Sequence, residues 1–123
     1  MKCLAFLLAC LAASACSHAA PPASEPLAQL RALERDAACS SDQQCRSVAL
    51  GAKSCGGPEA YMAYSTAKAS ADKVQALAER YRKEREAANK ASGLVSDCRY
   101  LMDPGALCRA GRCQLGNGAA ALE

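Results

Sequence analysis

The chain has 123 residues, with 15 basic and 12 acidic side chains and a formal net charge of +3 at pH 7. A balance this close does not imply a partner that is chosen by bulk electrostatics. Nine cysteines stand beside a single phenylalanine and no tryptophan. A small domain with so few large aromatic residues buries a limited core, so disulfides are expected to supply part of its stability.

An apolar leader opens the chain. Lys2 precedes an uncharged run over residues 4–15 (LAFLLACLAASA), which is typical of a secretory signal peptide. The run is shorter than the about 20 apolar residues that a transmembrane helix needs. We therefore predict an exported protein with a signal peptide at residues 1–15 and a flexible tether at residues 16–24 (CSHAAPPAS).

The end of the leader, residues 11–16 (LAASAC), resembles the lipobox of bacterial lipoproteins. In that motif small residues precede a cysteine that is diacylated on sulfur and becomes the mature N-terminus. The resemblance implies that Cys16 carries the lipid and contacts the membrane. Because Ser17 follows instead of aspartate, it also implies the outer membrane. The alternative is ordinary cleavage after Ala15 or Ala20, which would give a secreted or periplasmic domain.

Six cysteines remain outside the leader and the lipobox, namely Cys39, Cys45, Cys55, Cys98, Cys108 and Cys113. An even set behind an export signal predicts three disulfides in an oxidising compartment. Residues 56–97 separate two groups of three cysteines. We predict that at least one bridge joins the two groups, whereas the spacing leaves all 15 connectivities of six cysteines open.

The folded domain is predicted to begin with a helix that Ser24 caps and that runs to Cys39, with leucines at helical spacing. A short strand at residues 47–50 follows. Residues 53–58 form a sharp turn, in which two glycines precede a proline. Residues 61–65 predict either a second strand or the entry to a long helix.

The longest predicted element is a helix from residue 66 or 70 to residue 89 or 90, with no glycine or proline before Gly93. Its apolar residues fall on one stripe, widened by Leu77: Ala67, Ala71, Val74, Ala78, Tyr81 and Ala88. A loop through residue 98 follows, and residues 99–102 are predicted to be extended. Residues 106–109 and 112–115 flank Ala110-Gly111 as a hairpin.

These elements predict the α+β class, with one disulfide-stapled domain at residues 25–115 and a flexible tail at residues 116–123. The long amphipathic helix is expected to pack on a small antiparallel sheet made of residues 47–50 and the hairpin. The side chains expected to face that sheet are Val74, Leu77, Ala78 and Tyr81, whereas Arg82 and Glu86 are expected to point outward.

The cysteine order resembles small exported bacterial proteins of unassigned function. The resemblance covers residues 39–115 and rests on Cys39, Cys45, the run Cys55-Gly56-Gly57-Pro58, Tyr61, Tyr64-Ser65, a charged helix, Ser96-Asp97-Cys98, Cys108 and Cys113. It supports the domain limits, and it implies no activity, cofactor or mechanism.

No residue constellation predicts a reaction or a cofactor. The only histidine, His18, lies in the tether, so an imidazole base is hard to place in the folded body. Even pairing leaves no free thiolate, and only the Cys108 to Cys113 spacing approaches that of a zinc site. Turn and capping duties account for Asp97 and Asp103. We predict no catalytic, cofactor-binding or metal-binding residues and no enzymatic activity.

The densest basic stretch, residues 80–85, is interleaved with glutamates at helical spacing, which favours a solvated helix face over nucleic-acid binding. The preferred hypothesis is a binding or inhibitory module that is displayed from the envelope to an unknown envelope protein, with rigid loops such as residues 54–59 as its surface. The alternative is a purely structural or accessory envelope protein. An enzyme of unknown class is the disfavoured third hypothesis.

Overall fold

The computed structural model describes residues 24–117, which form an α+β domain as predicted. The elements are α1 (Glu25–Arg35), a 3-10 turn (Asp42–Gln44), β1 (Cys45–Leu50), β2 (Ala60–Ser65), α2 (Ala71–Ser92), β3 (Ala106–Arg109) and β4 (Arg112–Leu115). The predicted signal peptide, the tether up to residue 23 with Cys16, and the tail from residue 118 lie outside the described residues.

Helix α1 begins where the sequence predicts, because the Ser24 hydroxyl accepts a hydrogen bond from the backbone of the first turn. It ends at Arg35, however, and not at Cys39. Residues 37–39 pair instead with β4 and the turn before it. Their backbone groups are satisfied by that pairing, so the predicted last turn of the helix does not form.

Strands β1 and β2 form an antiparallel ribbon in which Val48 lies opposite Met62. Residues 61–65 therefore belong to a second strand and not to the entry of the long helix. Strand alternation divides the buried side chains between two faces. Val48 and Met62 lie in the main core, whereas Cys45 and Ala63 lie in a second, smaller cluster.

Helix α2 begins after Ser70, whose hydroxyl accepts from the Lys73 amide at 3.3 Å. It ends at Ser92 and is capped by Gly93, which adopts a left-handed φ of 64°. Residues Val74, Leu77 and Ala78 are buried, and Tyr81 is half-buried against the same core. Helices α1 and α2 pack together and cover one face of the β1–β2 ribbon.

The predicted alanine stripe is buried only in the first half of α2. Ala71 and Ala88 are exposed, and no residue of the helix beyond Ala78 is fully buried. The physical reason is the length of the ribbon, because strands of six residues reach about 20 Å and a helix of 22 residues about 33 Å. The predicted outward residues Arg82 and Glu86 have half-buried side chains, each 42 % exposed.

Strands β3 and β4 form the predicted hairpin, with positive φ at both Ala110 and Gly111 in its two-residue turn. The hairpin is a separate two-stranded sheet, so the prediction that it shares the sheet under α2 is wrong. Through Cys113 it packs on the ribbon face that carries Cys45 and Ala63, away from the main core. The ribbon is thus covered by helices on one face and by the hairpin on the other.

Candidate functional site

Three disulfides join the first cysteine group to the second, in the pairs Cys39–Cys108, Cys45–Cys113 and Cys55–Cys98. The prediction of three bridges with at least one between the groups is confirmed. The Cys45–Cys113 pair fastens the hairpin to the ribbon, and the Cys39–Cys108 pair fastens the hairpin to the chain between α1 and β1. The third pair lies at the turn after β1. Three disulfides in so small a domain indicate an exported protein in an oxidising compartment.

The sulfur atoms of Cys39, Cys45 and Cys108 lie within 4.8 Å of one another, which is close enough to suggest a metal site. Their proximity results from two adjacent disulfides. A metal-binding cysteine needs a free thiolate. All three sulfur atoms are held in disulfides and offer no free thiolate to a metal ion.

Residues 93–105, which we call the connecting segment, lead from α2 to β3 without helix, strand or turn. Four large apolar side chains of this segment are exposed, with Leu94 73 %, Val95 88 %, Tyr100 81 % and Met102 52 % accessible. Among the described residues the other large exposed apolar side chain is Leu107, which follows directly. A concentration of exposed apolar residues in one part of a small domain is typical of an interaction surface.

The connecting segment is held in place by side chains of the turn after β1. Cys55 is bonded to Cys98, and the Lys53 ammonium group donates to the Arg99 carbonyl at 2.8 Å. Farther along the segment the Tyr61 hydroxyl donates to a segment carbonyl at 3.3 Å. The connecting segment is thus held by side-chain hydrogen bonds and one disulfide, and not by pairing with a strand.

Lys53 also forms a salt bridge of 2.8 Å with Asp97, and its side chain is only 10 % exposed. The hydrogen bond from Lys53 lowers the pKa of Asp97, and the charges of Lys53 and Arg99 lower that pKa further. Burial raises the pKa of Tyr61, with a contribution from the nearby Asp103 carboxylate. At neutral pH the Asp97 carboxylate is therefore charged and the Tyr61 phenol is protonated. In these states the two groups form the contacts that hold the connecting segment.

The turn at residues 53–58, which overlaps the predicted binding loop at residues 54–59, is the anchor of this surface. Gly56 and Gly57 both have positive φ, a conformation that glycine adopts without strain. The apolar residues of the connecting segment were not predicted to form an interaction surface. A signal was present, because apolar residues after Gly93 without helical or strand periodicity have no regular face to bury.

The two loop aspartates are engaged in structural contacts. Asp97 binds Lys53, while the Asp103 carboxylate accepts from the Ser47 hydroxyl at 2.6 Å and from the Gly105 amide at 2.8 Å. Only the bond from the Gly105 amide to Asp103 is of the local turn kind that the sequence suggests. The contacts of Asp97 with Lys53 and of Asp103 with Ser47 join residues more than 40 positions apart.

Each cation of the basic stretch on α2 has a carboxylate partner. Arg82 contacts Glu79 and Glu86, as the helical spacing predicts for the second of these, and the other pairs are Arg80–Glu25, Lys83–Glu79 and Arg85–Glu59. Arg80 thus pairs with a glutamate of α1 and not with one of its own helix. The stretch therefore has the neutralised character of a solvated helix face.

No protein-family model, curated protein or solved structure matches this chain. Within residues 24–117 no helix is both long and apolar enough to cross a membrane. The fold and the site thus define a class, that of small exported α+β domains with three disulfides and one covalently held apolar segment.

Proposed function

We propose that this protein is a non-enzymatic binding module that a lipid on Cys16 displays from the cell envelope. The observation that carries the proposal is the connecting segment, where exposed apolar side chains sit on a backbone that the Cys55–Cys98 disulfide holds. Exposed apolar side chains gain free energy when a partner covers them. A segment that is already ordered loses little conformational entropy on binding.

The composition of the segment supports a protein partner. Tyr100 offers a large, rigid and amphipathic surface, and tyrosine and methionine are enriched at the centres of protein interfaces. Val95 and Leu94 extend the apolar area along the same chain. If the segment bound in a groove of the partner, it would block that groove. The same contact would therefore explain an inhibitory function.

Site-specific photocrosslinking in intact cells tests this function. We expect a crosslinking amino acid in place of Tyr100 to capture an envelope protein, and the same group in place of Ala87, which is exposed on α2, to capture none. The yield of this adduct should fall when Cys55 and Cys98 are both replaced by serine. An equal yield at the two positions, or no adduct at either, would favour the purely structural or accessory function.

The lipid anchor is tested separately. We expect mass spectrometry of the mature N-terminus to find a diacylated cysteine at position 16. The reason is that residues 11–16 resemble a lipobox, and the small, polar and proline-containing residues 17–24 suit a tether between a lipid and a folded domain. A mature peptide that starts at Ser17 or later, or an unmodified Cys16, would contradict the lipoprotein part of the proposal.

A further inference from the structure

Strand β1 has one free edge. Among the described residues its only strand partner is β2, and the Thr66 amide donates to the Gln44 carbonyl at 2.8 Å in the same register. Because hydrogen-bonded positions alternate along an antiparallel pair, the even-numbered residues of β1 bond to β2. The N–H and C=O groups of Ser47 and Ala49 therefore point away from β2, and none of them has a hydrogen-bond partner within residues 24–117.

A groove of about 520 Å³ runs beside this edge, and we call it the edge groove. Ser47 and Ala49 line one side, and Gln75 and Glu79 of α2 line another. Ala78 contributes apolar surface. The volume of the edge groove falls within the range of small-molecule ligand pockets, which is roughly 300 to 1,000 Å³.

We propose that the edge groove binds an extended peptide segment of a partner protein, which adds to β1 as a third strand. Strand addition to an exposed edge is an established mode of peptide recognition, in which main-chain hydrogen bonds supply affinity. Proteins usually protect a free edge with proline, with a bulge or with a covering element. Between Arg46 and Leu50 the edge of β1 contains no proline, and its register with β2 is unbroken.

The dimensions of the groove set the length of the peptide. The edge of β1 beside the groove runs from Ser47 to the end of the strand at Leu50, which corresponds to about 13 Å of extended backbone. Beyond Leu50 the chain turns, because Gly51 has a positive φ of 72°. The part of a peptide that pairs with this edge therefore has about four residues. Asp103, which accepts a hydrogen bond from the Ser47 hydroxyl, is the residue of the connecting segment that lines the groove. The free edge and the helix wall form the greater part of it, so the proposal rests on these and not on the exposed apolar side chains of the segment.

The charges of the groove determine which peptides it favours. Three carboxylates and two cations line it, namely Glu79, Glu86, Asp103, Lys53 and Arg82. Lys53 is already neutralised by Asp97, and Arg82 is shared between two glutamates. The excess of negative charge favours a peptide with a lysine or arginine, and the apolar surface at Val48 and Ala78 favours small apolar side chains beside it.

The experiment selects peptides from a phage-displayed library of random ten-residue sequences on the purified, oxidised mature protein. We expect the selected peptides to be rich in β-branched residues and to contain a lysine or arginine. Synthetic versions should shift the backbone amide resonances of Ser47 and Ala49. Shifts confined to residues 93–102 would place the peptides on the exposed apolar part of the connecting segment, overturning this proposal while supporting the proposed function.

Substitution at one edge position separates the backbone from the side chain. Ala49→Pro removes an outward N–H group at an edge where proline is tolerated, and Ala49→Val keeps that group. We expect the proline variant to bind the selected peptide roughly tenfold more weakly or worse, and the valine variant to bind it normally. Glu79→Lys should weaken binding of the lysine-containing peptide. Equal affinities of the two Ala49 variants would overturn the proposal.

Two other occupants of the edge have distinct signatures. A second copy of the chain on the edge would give a concentration-dependent dimer that Ala49→Pro disrupts. Residues 118–123 as the occupant would leave the protein unable to bind any library peptide until those residues are removed. Either result would overturn the proposal of a partner peptide, and the amide shifts of the intact protein decide the question even if Ala49→Pro fails to fold.

Discussion

Replacing Val74 with aspartate should destabilise this domain more than any surface change on the same helix. Val74 is 0 % exposed and belongs to the main core with Leu30 and Met62. Loss of its apolar burial costs about 1.5 to 3 kcal/mol. A buried carboxyl group without partners adds about 1 to 3 kcal/mol. The total of roughly 2.5 to 6 kcal/mol is a large part of the about 5 to 15 kcal/mol that is typical of a domain.

The matched control is Ala87→Asp, because Ala87 is exposed on the same helix. Its cost is limited to the lower helix propensity of aspartate, at most about 0.7 kcal/mol. Arg82→Ala should also cost less than about 1 kcal/mol, since the side chains of its ion pairs with Glu79 and Glu86 remain more than 40 % accessible to solvent. The three variants therefore distinguish core packing from surface electrostatics.

The assay is equilibrium urea unfolding with the disulfides intact. With a slope of about 1.5 kcal/mol per molar urea, Val74→Asp should lower the midpoint by about 2 to 4 M, and Ala87→Asp by less than about 0.5 M. Equal shifts for the two aspartate variants would refute the reasoning. That outcome would mean that α2 gains no stability from its buried stripe and that the core lies elsewhere.

The remaining predictions concern the connecting segment. Replacing both Cys55 and Cys98 with serine should lower the free energy of unfolding by about 2 to 4 kcal/mol and accelerate amide exchange in residues 93–105; unchanged exchange would show that the side-chain contacts suffice. Because the folded pKa of Asp97 is lowered, its contribution to stability is present above the ordinary aspartate pKa of about 3.9 and is lost as the pH falls through the lowered value. Lys53→Met should raise the Asp97 titration midpoint measured by NMR, and an unchanged midpoint would contradict this assignment. Burial raises the pKa of Tyr61, so its stabilising effect should persist below about pH 10 and disappear as the pH rises through the raised value, which an alkaline unfolding series of Tyr61→Phe checks.

Features that depend on neighbouring residues were predictable from the sequence. Ser24 and Ser70 cap their helices, Gly93 ends α2, and Ala110-Gly111 forms the hairpin turn. In each case the relevant hydrogen bonds or the backbone conformation involve residues a few positions apart. The three-disulfide architecture was equally predictable, because it followed from an even number of cysteines behind an export signal.

Features that depend on distant residues required the tertiary structure. The sequence places the hairpin and residues 47–50 in one sheet, yet β1 pairs with β2 and the hairpin packs on the opposite face. Strand pairing is decided by which long-range contacts bury the most apolar surface. The alternation of side chains along residues 61–65 is compatible with a strand or with the entry to a helix. The pairing of Met62 with Val48 decides for the strand.

The exposed residues of the candidate surfaces also could not be identified from the sequence alone. Leu30 and Leu94 are the same residue type, but Leu30 is buried while Leu94 is 73 % exposed. Local sequence determined the helix caps, the turns and the presence of the disulfides, because those interactions lie within a few residues or follow from cysteine number. Only the tertiary structure decided the disulfide pairs, the exposure of the connecting segment and the free edge of β1, because each depends on which distant parts of the chain cover one another.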